Sequence, residues 1–195
     1  MRCRFLTLLV APAASLRPAA SLRRGIVWDV DGTLVDSTRL GFDASNEVLA
    51  RNGYAAISAD EYAVGAKFST PDRFSWHVGA AAGSAAGAAL GRAFDDCYVA
   101  RVNAETAGAF DGVDRLLRRL RCPQGALSNA NGAYVRAVLA ANGLDGGLFG
   151  GAWGADDVPA PKPDAAGALA CCAALGLDPA RSVFVAVPGG VCLLY

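Results

Sequence analysis

Two carboxylates, Asp29 and Asp31, stand two residues apart in the string Asp29-Val30-Asp31-Gly32-Thr33-Leu34-Val35-Asp36-Ser37. One carboxylate can attack an electrophile as a nucleophile. A second, two residues on, can protonate the leaving group and later activate water. The preceding run Gly25-Ile26-Val27-Trp28 reads as a short strand buried on both faces. The acids therefore fall at a strand exit, where open α/β sheets bind their ligands, and Gly32 permits a tight turn there. A lone Asp is more often a cap or turn residue; the whole nine-residue string is poorly explained that way.

Two further candidates lie downstream. Ser128 and Asn129 end the apolar run Gly125-Ala126-Leu127, and their hydroxyl and amide groups can donate to phosphate oxygens. Turn chemistry alone would also account for that pair. Lys162, one of only two lysines, sits in Pro159-Ala160-Pro161-Lys162-Pro163-Asp164 ahead of a helix. Taken singly it reads as a solvated residue in a proline-rich linker.

The string at residues 29–37 resembles the first motif of the haloacid dehalogenase-like phosphohydrolases. The resemblance implies that Asp29 forms an aspartyl-phosphate and that Asp31 is the acid/base. It implies Mg2+, held by the Asp29 carboxylate and the Asp31 backbone carbonyl. It makes Ser128 and Asn129 the second, phosphate-binding motif, and Lys162 the cation that neutralises phosphate and nucleophile. An acid at position 31 disfavours the dehalogenase branch. A helical insert between the first two motifs resembles the phosphoglycolate phosphatase/β-phosphoglucomutase group, whose cap closes over the site and chooses the substrate. Lys67, Arg73 and His77 are cap residues able to meet a substrate anion, although a surface or structural role is the plainer reading of each, and His77 reads as packing or solvent-facing.

The fourth motif does not match. The family follows its strand with Gly-Asp, and that Asp is a metal ligand. Here Ser182-Val183-Phe184-Val185 is followed by Ala186-Val187-Pro188-Gly189-Gly190-Val191-Cys192-Leu193-Leu194-Tyr195. Residues 188–195 are thus an anomalous tail, the expected product of a frameshift, retained intron or misread gene, which sequencing the transcript across codon 185 checks. Asp156 or Asp157 could partly stand in for the missing ligand.

The elements that must carry these residues follow from periodicity and punctuation. Residues 37–52, 60–66, 71–78 and 90–102 read as helices, with 79–91, nearly all Ala and Gly, ambiguous. Helices at 113–120, 131–142 and 164–175 alternate with strands at 125–129, 148–153 and 182–187. The expected fold is α/β: a Rossmann-like parallel sheet core, C-terminally incomplete, at 25–36 and 111–187, with a helical cap at 37–110 inserted after the first strand.

Composition bounds the rest. Lys+Arg and Asp+Glu are 18 each, which argues against a nucleic-acid binder. No apolar run is long enough for a membrane span. Residues 1–24 hold five Arg and no acid; without them the chain has 13 basic and 18 acidic residues. This leader, rich in Ala, Ser and Leu, reads as a targeting segment for a plastid or mitochondrion. A secretory signal, or an extension without an address on a cytoplasmic protein, are the alternatives. Six cysteines with no CxxC and one His give no usual zinc site and read as free thiols. The expected activity is a Mg2+-dependent phosphatase acting on a small phosphorylated metabolite. The alternatives are a phosphate-binding relative without turnover, a truncated product that does not fold stably, and a sugar phosphomutase. Oligomeric state is open.

Overall fold

A computed structural model describes residues 23–66 and 68–186. Most of the leader, Lys67 and the tail lie outside the described residues, and so do the expectations placed on them.

The central layer is a four-stranded sheet. β1 (Ile26–Asp29), β4 (Gln124–Leu127), β5 (Ala152–Trp153) and β6 (Val183–Val185) lie in the order β5-β4-β1-β6, every neighbouring pair parallel. β1 is internal and its alternate side chains face opposite layers. Val27 joins Leu127, Cys171, Cys172 and Leu177 beneath α7 (Ala165–Leu175). Trp28 and Ala126 join the larger cluster that includes Leu117 of α5 (Val113–Arg119) and Val135, Val138 and Leu139 of α6 (Gly132–Ala141). Burial on both faces is why β1 is apolar up to Asp29. Trp28 still has its polar handle satisfied: its indole N–H donates to Gln124 Oε1 at 3.0 Å, and Gln124 Nε2 donates to the Leu117 carbonyl at 3.0 Å. This is the Rossmann-like α/β arrangement expected.

The chain leaves this core through β2 (Val35–Asp36) and returns through β3 (Gly108–Ala109), which pair antiparallel. Between them lie α1 (Thr38–Arg51), α2 (Ala59–Gly65), α3 (Thr70–His77) and α4 (Ala85–Arg101). The Ala/Gly stretch that composition leaves ambiguous resolves here. α4 begins at Ala85, because the Ser84 hydroxyl caps it by accepting from the Gly87 N–H at 3.0 Å. Gly87 faces α3 so closely that a Cβ there would overlap Ser75 Oγ. Small residues are what let the two helices approach. Leu90, Phe94 and Tyr98 then line the buried face of α4 at four-residue spacing.

The strand expected over 148–153 shrinks to Ala152–Trp153. Gly150 donates instead to the Gln124 carbonyl, and Leu148 and Phe149 pack against the core as loop residues. Among the described residues the cysteines, Cys97, Cys122, Cys171 and Cys172, are free thiols. Among the same residues no helix is long and apolar enough to cross a membrane.

Candidate active site

The exit of β1 folds back on itself. The Val30 carbonyl accepts from the N–H groups of Thr33, Leu34 and Val35 at 3.3, 2.9 and 3.1 Å, and Gly32 takes φ 75° to close the turn. That left-handed conformation is the reason a glycine follows Asp31. The turn holds the Asp29 and Asp31 side chains beside each other, at the end of the internal strand.

Asp29 is 3% exposed. Its Oδ1 accepts from the Val30 N–H at 3.0 Å and forms an ion pair with Lys162 Nζ; its Oδ2 accepts from Thr33 Oγ1 at 3.2 Å. Burial raises the Asp29 pKa above the ordinary carboxylate range, while the Lys162 charge opposes that shift. Lys162 is itself 5% exposed, donates to the Leu127 carbonyl at 3.0 Å, and lies 5.5 Å over the Phe184 ring. The lysine of the proline-rich loop is thus turned inward onto the candidate nucleophile rather than out to solvent.

Asp31 is surrounded by hydroxyls. Ser37 Oγ and the Tyr134 hydroxyl donate to Oδ1 at 2.6 and 2.7 Å, with the Tyr98 hydroxyl 3.4 Å away; Ser128 Oγ donates to Oδ2 at 2.6 Å. Ser37 occupies the N-cap position of α1 yet makes no capping bond, because its hydroxyl serves Asp31. Ser128 also accepts from the Ala130 N–H at 2.9 Å. The Asn129 side chain grips the peptide of Lys162: Nδ2 donates to the Lys162 carbonyl and the Lys162 N–H donates to Oδ1, both at 2.8 Å.

All five sequence-predicted residues, Asp29, Asp31, Ser128, Asn129 and Lys162, line one cleft of about 520 Å³ between core and cap. Its cap wall includes Phe42, Tyr62, Arg73 and Phe94. Arg73 is 8% exposed, its guanidinium lies 4.3 Å over the Phe94 ring, and its Nε and Nη2 are buried without a hydrogen-bond partner. His77 does not line the cleft; it packs between the rings of Phe74 and Trp76. Asp156 and Asp157 are turned to the start of α6. Gly132 N–H donates to Asp156 at 2.7 Å, while Gly154 N–H and Arg136 donate to Asp157 at 3.0 and 3.1 Å. Neither lines the cleft with Asp29. Sequence reasoning assigns no role to Ser37, Tyr98 or Tyr134. Ser37 does stand inside the motif string, whereas the tyrosines carry no local signal.

A profile of the haloacid dehalogenase-like hydrolases matches residues 24–185. The chain belongs to this family. Within it, the chain is 32% identical to a phosphoglycolate phosphatase of Caulobacter vibrioides over 171 residues, which is 82% of this chain and 69% of that protein. A phosphoglycolate phosphatase of Rhodobacter capsulatus is 29% identical over 147 residues, 71% of this chain and 65% of that protein. The chain therefore spans about two thirds of the length of these relatives. The crystal structure of CbbY from Rhodobacter sphaeroides in complex with phosphate superposes with a TM-score of 0.72 at 23% identity, covering 84% of this chain and 77% of that one. Family and relatives class the chain with the phosphoric monoester hydrolases, in the phosphoglycolate phosphatase-like group.

Proposed function

We propose that the chain is a Mg2+-dependent phosphatase of a small phosphorylated metabolite, acting through an aspartyl-phosphate on Asp29. The observation that carries this reading is the buried Asp29–Lys162 pair on the floor of the cleft, with Asp31 and Ser128 beside it. An Asp29 oxygen attacks phosphorus, the bond from phosphorus to the ester oxygen breaks, and Asp31, which enters the cycle protonated, gives that oxygen its proton. Water then attacks the phosphorus of the acyl-phosphate as Asp31 takes a proton from it, the bond from phosphorus to the Asp29 oxygen breaks, and inorganic phosphate leaves. Lys162 and Ser128 hold the transferring group, and Asn129 fixes the loop that carries Lys162. Electrostatic positioning of this kind supplies most of the rate in phosphoryl transfer.

The donor set suits Mg2+, a hard cation that takes oxygen ligands and keeps several waters. The Asp29 carboxylate and the Asp31 carbonyl would hold it. Bound there, it supplies positive charge that offsets the repulsion between an attacking carboxylate and a phosphate dianion.

Arg73 supports a finer reading. A buried guanidinium with two unpartnered nitrogens on the cap wall suits a second anionic group on the substrate. The competing reading is phosphate binding without turnover. It draws on one observation: Val185 is followed by Ala186-Val187 where the family's fourth motif carries an acidic metal ligand.

The deciding experiment is phosphate release from p-nitrophenyl phosphate with and without Mg2+, using the chain from Gly25 onward and Asp29→Asn as control. Mg2+-dependent release abolished by Asp29→Asn supports the phosphatase. A folded chain that binds phosphate without release supports the second reading. The leader's Arg-rich, acid-free composition supports an organellar address; residues 1–24 fused to a fluorescent protein should reach the organelle, and diffuse fluorescence would reject the address.

A further inference from the structure

The hydroxyls around Asp31 come from both sides of the cleft. Tyr134 belongs to α6 of the core and is fully buried; Tyr98 belongs to α4 of the cap and is 5% exposed. Their rings stack at 4.0 Å between centroids and 14° between planes. Their hydroxyl oxygens are 3.2 Å apart. The Tyr134 proton goes to Asp31 Oδ1, and the single Tyr98 proton lies between the Tyr134 oxygen and Asp31 Oδ1.

The two carboxylate oxygens of Asp31 are held unequally. Oδ1 is the focus of Ser37, Tyr98 and Tyr134; Oδ2 is bonded by Ser128, the residue read above as a phosphate donor. We propose that Tyr98 and Tyr134 are positioning residues for Asp31. They anchor Oδ1 so that Oδ2 is the oxygen that exchanges the proton with the substrate, and Tyr98 makes that anchorage depend on the cap being seated on the core. When a phosphoryl oxygen accepts the Ser128 hydrogen bond in place of Asp31, Oδ2 loses its one partner and faces the ester oxygen. No bond beyond hydrogen bonds changes in this step. A cap that swings open withdraws the Tyr98 hydroxyl and loosens the acid, which links proton delivery to closure.

This inference rests on the phosphatase reading, so its test has an arm that needs no turnover. In the kinetic arm, Tyr134→Phe and Tyr98→Phe are compared on p-nitrophenyl phosphate, whose leaving group needs little proton help, and on glycerol phosphate, whose alkoxide needs a proton. With Tyr134→Phe, kcat on glycerol phosphate should fall about 10- to 100-fold, with a much smaller fall on the aryl ester and KM little changed. Tyr98→Phe should show the same pattern more weakly. Equal losses on both substrates, or none, would overturn the proposal.

In the second arm, thermal midpoints of Tyr134→Phe, Asp31→Asn and the double variant form a cycle. Non-additive shifts are expected, and additive shifts would show that the hydroxyl does not hold Asp31. A parent chain without turnover on either ester rejects the phosphatase reading, while the thermal cycle still decides whether Tyr134 is bound to Asp31.

Discussion

Asn129 and Lys162, 33 residues apart in sequence, clasp each other by two hydrogen bonds of 2.8 Å, carboxamide to peptide. The clasp ties the proline-rich loop to the end of β4, so the lysine is aimed by the strand and not by the loop alone. Ser128 and Asn129, neighbours in sequence, thereby serve different partners: one hydroxyl meets Asp31, one amide meets the loop.

Removing the clasp should therefore harm Lys162 without touching it. Asn129→Ala leaves a part-buried N–H and carbonyl unpaired, a cost of about 1–3 kcal/mol for each group that water cannot reach. Phosphate release should drop about 10- to 100-fold as the ammonium drifts from Asp29, since small misplacements at a reacting centre cost that much. Thermal melts and p-nitrophenyl phosphate turnover read the two effects. A variant with parental turnover would show that the loop is held by other contacts.

The Asp29–Lys162 pair makes a prediction about stability rather than rate. Both groups are nearly inaccessible, so deleting one strands the other. Lys162→Met should destabilise by about 3–5 kcal/mol, in the range for breaking a buried pair. Asp29→Asn combined with Lys162→Met should recover most of that loss. Urea denaturation of the three proteins is the check, and a double variant no more stable than Lys162→Met would contradict it.

The parts of this arrangement that are legible in the sequence are the local ones. Asp29, Gly32 and Ser37 sit within nine residues of a strand end, and the alternation of strand and helix points to the α/β class. Ser128 and Lys162 become readable only beside that string, because a serine after a strand and a lysine among prolines have common structural explanations. What stays hidden depends on contacts made across the fold. Tyr98 and Tyr134 reach Asp31 across 67 and 103 residues and look like ordinary core aromatics in their helices. Arg73 gives no sign in sequence of being buried among rings, since its burial comes from Tyr62, Phe74 and Phe94 together. The start of α4 is ambiguous in sequence because propensity penalises glycine in a helix but does not see the neighbouring helix that glycine admits.

That neighbour can be tested. Gly87 lies where a Cβ would overlap Ser75 Oγ and stand 2.5 Å from the Pro71 carbonyl, and the second contact is backbone. Ala favours a helix over Gly by about 1 kcal/mol, yet overpacking of this kind costs about 1–3 kcal/mol. Gly87→Ala should thus be net destabilising despite its better propensity, whereas Gly146→Ala, with open space around the added methyl, should be tolerated. Chemical denaturation distinguishes them. A stabilised Gly87→Ala would mean that α3 and α4 sit further apart than described.

The single histidine offers a pH test in the cap. Burial, with the charge of Arg73 adding to it and that of Glu61 opposing, pushes the His77 pKa down to about 4. Its Nε2 is buried without a partner, so nothing rewards a proton there. In the unfolded chain an imidazole binds its proton near pH 6.5. Between about 6.5 and 4 the unfolded state holds more protons than the folded one, so stability from this group rises with pH across that window. Acidification from pH 7 should erode it progressively, with the loss complete below about pH 4. His77→Gln removes the titrating group, so its stability should fall less than the parent's between pH 7 and 4.5. Because the chain has one histidine, its imidazole proton resonance is unambiguous, and it should keep a neutral chemical shift at pH 5. A midpoint near 6.5 in the folded protein would place His77 in water and remove both the burial and the Arg73 charge from the account.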